Sequence, residues 1–117
     1  FPALFQALSG AGATIISVPA AFTVPSGQAH WHVLLRARAI ENASWIIAAA
    51  QSGTHEDGRS TYGHSLVIDP WGHVVLDMEN QTGLGFAEID LVQVEDVRSR
   101  IPVIAHRRAI PFVEVRQ

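Results

Sequence analysis

The sequence predicts a layered α/β domain, and three segments support that prediction. Residues 14–18 (TIISV) are short, β-branched and bounded by glycine and proline, as a buried strand would be. Apolar residues recur at helical spacing over residues 26–43, which indicates a long amphipathic helix. Residues 45–50 (WIIAAA) contain no polar side chain, and such a run of strand length predicts a strand buried on both faces. A helix between two such strands is typical of mixed α/β layers.

The N-terminal third is predicted to be helix, strand and loop. Pro2 suits the first turn of a helix, where its missing N–H costs nothing. Residues 19–25 should form a loop because prolines at both ends remove backbone donors. Ser26 is the expected N-cap of the long helix. The first helix is predicted over residues 2–8 from the spacing of Leu4, Phe5, Leu8 and Ala11, with Gly10 and Gly12 ending it.

The remaining chain predicts a hairpin, a further strand, a helix and a tail. Residues 52–63 are polar and contain glycine, so we expect a loop there. Strands are predicted over residues 65–68 and 74–77, because the sequence DPWG between them is a strong turn signal. A strand over residues 85–89 should precede a helix over residues 91–100, with Asp90 as its cap. The tail from residue 101 to 117 should be irregular and dock on another surface, anchored through carboxylates by Arg107 and Arg108.

The composition excludes several kinds of chemistry within this chain. It has no cysteine and no lysine, since all 8 basic residues are arginine. Disulfides, a thiolate nucleophile and lysine catalysis are therefore excluded here. A net charge of −3 offers no basic surface, and we expect no nucleic-acid or membrane partner. With no signal peptide visible, we expect a cytoplasmic location.

Histidines at positions 30 and 32 raise the question of a metal site. On a strand, His30 and His32 would face the same way and could begin such a site. On the predicted helix, residues two apart diverge, and His64, His55 or Asp57 would have to converge with them. We therefore expect packing roles, with no metal and no cofactor, and keep a histidine-based metal-binding protein as an alternative.

Two further residues invite catalytic interpretations that the local pattern does not favour. Ser65 follows His64, but the segment lacks the Gly-x-Ser-x-Gly pattern, and neighbours on a strand point to opposite faces. We expect Ser65 to be hydrogen-bonded at a strand entry. Glu41 lies three residues after Arg38, which favours a structural ion pair on one helix face.

The ordered set of motifs resembles the nitrilase superfamily, the carbon–nitrogen hydrolases. The longest match is residues 29–42 (AHWHVLLRARAIEN), and the resemblance extends to Arg108. It is strongest to the amidase-like branch that includes omega-amidases and Nit proteins. His32 departs from the glutamate often found at that position. The other agreeing segments are residues 1–4 (FPAL), 12–13 (GA), 19–23 (PAAFT), 49–51 (AAQ), 63–65 (GHS) and 69–72 (DPWG).

The resemblance implies a fold, an activity and an assembly. Residues 1–108 would form the C-terminal half of an α-β-β-α sandwich, with a mixed sheet and two main helices, and residues 109–117 a tail. The parent enzyme would hydrolyse a small carboxamide through a cysteine acyl-enzyme. Its cysteine, lysine and glutamate would all lie upstream of Phe1, so we expect no catalytic residue here and no activity from this chain alone. Family dimers imply a homodimer or higher homo-oligomer formed through the two helices.

One loop is the predicted contact with substrate. It follows the strand at residues 14–18, at the end where α/β sheets commonly hold ligands. The resemblance implies that this loop borders the acyl pocket, with alanines leaving room, an aromatic wall and a hydroxyl. The predicted substrate-binding residues are Ala20, Ala21, Phe22 and Thr23.

A different class of function is compatible with the same residues. The chain could be a non-catalytic binding or assembly module that self-associates to cover its sheet edge and apolar faces. Its oligomeric state and cooperative melting distinguish this alternative from the enzyme.

Overall fold

The computed structural model describes residues 1–115 as helices and short strands connected by loops. Helix α1 spans Pro2–Gly10, strand β1 Ile15–Ser17, helix α2 Val24–Ser26, a π-helical turn Gly27–Trp31 and helix α3 His32–Asn42. Strands β2 to β6 span Trp45–Ala48, Ser52–Thr54, Ser60–Tyr62, Leu66–Ile68 and Val74–Asp77, and helix α4 spans Leu91–Arg100.

Four strands form a mixed sheet, which confirms the predicted α/β class. The order is β1-β2-β5-β6, with β1 parallel to β2 and the other two pairs antiparallel. A parallel pair needs a crossover, and the helical segment through α3 supplies it. Strands β3 and β4 form a separate hairpin.

The core lies between the sheet and the helix α3. Alternate residues of β1, β2 and β5 point to the same face of the sheet, and this face packs against the apolar face of the helical segment. Ile46, Leu66 and Ile68 are almost completely excluded from solvent. The core residues are Ile16, Trp31, Leu35, Ala39, Ile46, Ala48, Leu66 and Ile68.

Among residues 1–115, the opposite face of the sheet is covered only at one end. There, α4 places Val94 against Trp45 and Val67. Ile15 and Ile47 on the same face are 40% and 37% exposed, so the prediction that residues 45–50 are buried on both faces is wrong at Ile47.

The described chain measures 48 × 47 × 20 Å, and its radius of gyration is 16.3 Å. A compact domain of this length has a radius of gyration of about 13 Å, so the described chain is flatter and more extended than a compact domain.

Two loop and strand predictions are wrong. Residues 52–63 contain the β3–β4 hairpin, in which Ser52 pairs with Tyr62 and Thr54 with Ser60. Most of this hairpin faces solvent, so its side chains are polar and do not alternate with apolar ones as in a half-buried strand. Residues 85–89 form no strand; the segment passes β6 without ladder hydrogen bonds, and Phe86 is 86% exposed.

The helix ends agree with the prediction at α4 and differ at α2. Asp90 caps α4 as expected, its carboxylate accepting a hydrogen bond from the Val92 amide at 2.9 Å. Helix α2 begins at Val24, so Thr23 is the N-cap residue and Ser26 lies inside the helix. Pro25 fits in this first turn because it has no N–H to satisfy.

The tail is irregular over residues 101–115 and docks on α1, while residues 116 and 117 lie outside the described part. The Arg107 guanidinium donates to the Gln6 carbonyl at 2.8 Å, the Ser9 hydroxyl at 3.1 Å and the Asn42 amide oxygen at 2.9 Å. The predicted carboxylate anchors are therefore replaced by neutral oxygens. Ser9 and Asn42 are buried, and Arg107 satisfies their acceptors.

None of the helices within residues 1–115 has the length and hydrophobicity that crossing a bilayer requires.

Candidate functional site

The loop of residues 20–23 is fixed at both ends beside the C-terminal end of β1. Ala20 forms a parallel bridge with Ala50, and Thr23 forms an antiparallel bridge with Thr61. The Ala20 carbonyl also accepts a hydrogen bond from the Gln51 amide at 3.0 Å. The loop therefore lies between the end of β2 and the β3–β4 hairpin, with its backbone held by both.

The side chains of this loop divide between core and solvent. Phe22 packs against Trp31 with ring centroids 5.0 Å apart, so much of its ring serves the core. Ala21 and Thr23 are exposed, and the Thr23 hydroxyl is 2.8 Å from the Ser26 hydroxyl. The predicted substrate contacts of Ala20, Ala21, Phe22 and Thr23 stay a prediction.

Two histidines and an aspartate meet next to this loop; we call His32, His64 and Asp77 the His–Asp cluster. His32 Nε2 lies 2.8 Å from Asp77 Oδ2, and His64 Nδ1 lies 2.9 Å from Asp77 Oδ1. The Tyr62 ring stacks on His64 at 4.1 Å, with its hydroxyl 3.5 Å from His32 Nδ1. Each side chain of the cluster is between a fifth and a third exposed.

The backbone holds His64 in an uncommon conformation. Its φ is 56°, in the left-handed region, and it follows Gly63 with a φ of 71°. The His64 amide donates to the Glu79 carbonyl at 2.6 Å, and its carbonyl accepts from Trp31 Nε1 at 2.7 Å. These two hydrogen bonds aim the imidazole at Asp77.

The surroundings of Asp77 favour its charged form. Burial by itself would raise the pKa of the carboxyl, but hydrogen bonds from His32, the Glu79 amide and His64 outweigh it. The pKa of Asp77 consequently lies below its ordinary value.

The cluster and the loop share contacts. The Tyr62 amide donates to the Phe22 carbonyl at 2.9 Å, while Trp31 contacts Phe22 and binds the His64 carbonyl. The His–Asp cluster is thus connected to the predicted substrate loop through Tyr62 and Trp31.

Comparison with known proteins assigns the family. The sequence model of a family described as Carbon-nitrogen hydrolase matches residues 1–99. The chain belongs to the carbon-nitrogen hydrolase family.

Individual relatives support the assignment and show how much of a protein the chain represents. It is 48% identical over 107 residues to the deaminated glutathione amidase of Synechocystis, covering 92% of this chain and 39% of that protein. The crystal structure of Caenorhabditis elegans NitFhit superposes with a TM-score of 0.88 and 50% identity, over 92% of this chain and 26% of that one. An amidase from Nesterenkonia matches with a TM-score of 0.67 and 26% identity, over 87% of this chain and 39% of that one. The chain thus spans about two fifths, or less, of the length of these proteins.

The carbon-nitrogen hydrolase fold separates most residues weighed for a metal site. His30 is exposed, His55 contacts Thr61, and Asp57 pairs with Arg59. His32 does approach His64, with ring centroids 5.1 Å apart, so these two of the weighed residues converge.

Asp77 was missed by the sequence analysis, although a signal for it exists. In the β5–β6 hairpin, Asp77 pairs with Leu66, and Leu66 is only two residues after His64 in the sequence. Extending the predicted hairpin from its turn would have placed that carboxylate beside the histidine.

Ser65 and Glu41 form the contacts that the sequence predicted for them. The Ser65 hydroxyl accepts from the Ala50 amide at 3.0 Å, which ties β5 to the end of β2. Arg38 and Glu41 form the expected ion pair on α3 at 2.8 Å.

Proposed function

We propose that this chain is the C-terminal part of an amidase-type enzyme that hydrolyses a small carboxamide through a cysteine acyl-enzyme. The similarity to deaminated glutathione amidase over 92% of the chain carries the proposal. The matching Nesterenkonia amidase is described with acrylamide added to its active-site cysteine, which supports the same type of nucleophile.

The chemistry divides between this chain and residues that precede Phe1. An acyl-enzyme needs an activated nucleophile, and this chain has neither cysteine nor lysine. We propose that the cysteine, the lysine that stabilises the oxyanion and the glutamate base all lie upstream. The loop of residues 20–23 then supplies one wall of the acyl pocket.

The open part of the sheet supports a second layer in the whole protein. It is lined mostly by apolar side chains, among them Ile47, which is more than a third exposed. Strand β1 also has a free edge among the described strands, a feature that proteins usually cover. We propose that a second sheet from the upstream half packs on this face, about 10 Å away as in other sandwiches. The lining residues include Ile47, Ala49, Val67, Leu76, Met78 and Leu84.

Self-association through the helices is part of the proposal. Helices α1 and α3 contact each other and present exposed apolar side chains, among them Leu4, Val33 and Leu34. We propose that these cover one another in a homodimer. Light scattering on the natural full-length protein should give the dimer mass, and a monomer would contradict the proposal. A cytoplasmic location stays a prediction.

The activity is tested on the natural full-length protein. The proposal expects a cysteine in a Cys-x-Asp-x-Arg segment directly before Phe1. Ammonia release should be measured over a panel of small carboxamides, with replacement of that cysteine by alanine as the matched control. Turnover that the alanine variant abolishes would support the proposal. A folded protein that hydrolyses no carboxamide would contradict it.

A further inference from the structure

We propose that His32, His64 and Asp77 bind a divalent transition-metal ion, with Zn²⁺ as the ion to test first. The cluster offers two imidazole nitrogens and one carboxylate. Two histidines and a carboxylate are a recurrent ligand set for zinc and for other first-row divalent ions. The proposal is independent of the proposed amide hydrolysis.

The ligand atoms are close to metal-binding positions. All three lie within 4.8 Å of one another, and the Asp77 oxygens lie 2.8 and 2.9 Å from the two imidazole nitrogens. Ligands bound tetrahedrally at about 2.0–2.1 Å stand roughly 3.3 Å apart. Binding therefore requires the imidazoles to approach each other by no more than about 1.5 Å. The ion would replace the hydrogen bonds that join the imidazoles to the carboxylate.

The three ligands are held by different elements. His32 begins α3, His64 precedes β5 and Asp77 ends β6. His64 keeps a left-handed φ of 56°, and such conformations persist where the surroundings determine them, commonly at functional sites. The Tyr62 hydroxyl faces the remaining nitrogen of His32 at 3.5 Å, where partners of metal-bound imidazoles usually lie.

The charge of the cluster suits a cation. Within residues 1–115, Asp77 forms ion pairs only with His32 and His64, and no arginine contributes a permanent positive charge. Two neutral imidazoles and one carboxylate carry a net charge of −1, which a divalent ion neutralises. Side-chain exposures of 32%, 22% and 29% for His32, His64 and Asp77 leave access for the ion and room for water ligands.

Zinc titration calorimetry tests the proposal on the natural full-length protein after removal of metal with a chelator. The wild type should bind one Zn²⁺ per chain at this site. H32Q and D77N should each weaken Zn²⁺ binding at least about tenfold. Loss of a residue that only hydrogen-bonds to a metal ligand already weakens binding by about that factor, and loss of a ligand should cost more. H30Q is the matched control because His30 is exposed and lies outside the cluster. It should bind Zn²⁺ as the wild type does.

Two measurements separate loss of the site from loss of the fold. Circular dichroism should give H32Q, D77N and H30Q the folded spectrum. If H32Q or D77N fails to fold, the visible absorption of Co²⁺ bound to the wild type decides. Bands of a low-coordinate nitrogen and oxygen site support the proposal, and the spectrum of hydrated Co²⁺ overturns it.

Three calorimetric outcomes would overturn the proposal. They are no stoichiometric binding of Zn²⁺ by the wild type, equal losses in H30Q and H32Q, and unchanged affinity in both H32Q and D77N. Ammonia release by the metal-free protein is measured separately, so a failure here is distinguishable from a failure of the proposed hydrolysis.

Discussion

At the scale of single residues, Asp69 organises the turn between β5 and β6. Its carboxylate accepts hydrogen bonds from the Trp71 and His73 amides at 2.9 Å and from the Gln93 side chain at 3.0 Å. Burial would raise the pKa of Asp69, but these bonds and one from the His73 ring lower it below its ordinary value. The turn signal in the sequence thus has a specific physical cause, an aspartate that satisfies the turn amides.

Asp69 should make the stability of the protein sensitive to acid. A carboxyl whose folded pKa is below its unfolded pKa contributes stability that is present above the unfolded value, near 4. This contribution is lost as the pH falls through the folded pKa. D69N should therefore lower the free energy of unfolding by about 1–3 kcal/mol at pH 7, and by less in acid.

Urea unfolding of wild type and D69N at several pH values between about 7 and 3 measures this difference. H73Q is a useful comparison, because it removes the contact of the His73 ring with Asp69 and keeps the hydrogen bond from the backbone amide of residue 73 to Asp69. A difference between wild type and D69N that stays constant with pH would refute the explanation.

At the scale of elements, the long helix depends on a close approach at its π-helical turn. Gly27 is buried there, and a β-carbon at this position would overlap the ring of Tyr62. The Tyr62 ring in turn stacks on His64. The absence of a side chain at residue 27 therefore lets the β3–β4 hairpin pack against the helix.

G27A should be destabilising because the added methyl group displaces Tyr62. We expect a loss of about 1–3 kcal/mol in the free energy of unfolding, as for other overpacked sites. G10A is the matched control, since its β-carbon would meet only Arg107 at 3.9 Å. Alanine near the end of α1 should be neutral or slightly stabilising. Denaturant unfolding measures both variants, and equal effects would contradict the steric argument.

The elements also show why sequence patterns succeed in some places and fail in others. The β5–β6 hairpin was predictable because its turn residues and β-branched runs are local signals. The β3–β4 hairpin was not, because solvent-exposed residues such as Thr54 and Ser60 have no alternation to detect. Residues 85–89 have strand-like composition, but a strand also needs a partner, which only the tertiary structure supplies.

At the scale of the whole molecule, two arginines of the C-terminal part hold distant segments together. Arg98 donates to the carbonyls of Ala13 and Ala43 at 2.8 and 3.2 Å. Arg107 binds the buried pair of Ser9 and Asn42. Long-range contacts of this kind have no local signature. The sequence predicted that Arg107 would anchor the tail, but it predicted carboxylate partners where Arg107 binds neutral oxygens.

R107A should destabilise the protein because the buried Ser9 hydroxyl loses its donor and the Asn42 amide oxygen keeps only its hydrogen bond from Ser9. We expect a loss of about 1.5–3 kcal/mol, the usual contribution of hydrogen bonds to a charged group. R108A changes the adjacent, exposed arginine and should have little effect. Thermal melting of both variants in the full-length protein measures this, and equal shifts would show that only charge matters.

The sheet face illustrates the limit of sequence analysis at this scale. The apolar run at residues 45–50 correctly predicted a strand, and its composition suggested two covering layers. Within the described residues only part of the second face is covered, at Trp45, while Ile47 remains exposed. An apolar side chain identifies a surface that favours burial, but the sequence of that strand does not specify what buries it.

The contact of Arg107 with the Gln6 carbonyl joins positions 101 residues apart. The same guanidinium also binds Ser9 and Asn42, so separating the tail from α1 breaks three hydrogen bonds at once, and the two segments should open together. In native-state hydrogen exchange, the amides of α1 and those near Ile104 should therefore share one opening free energy. The beginning and end of the described chain would then behave as a single cooperative unit, although they lie at opposite ends of the sequence.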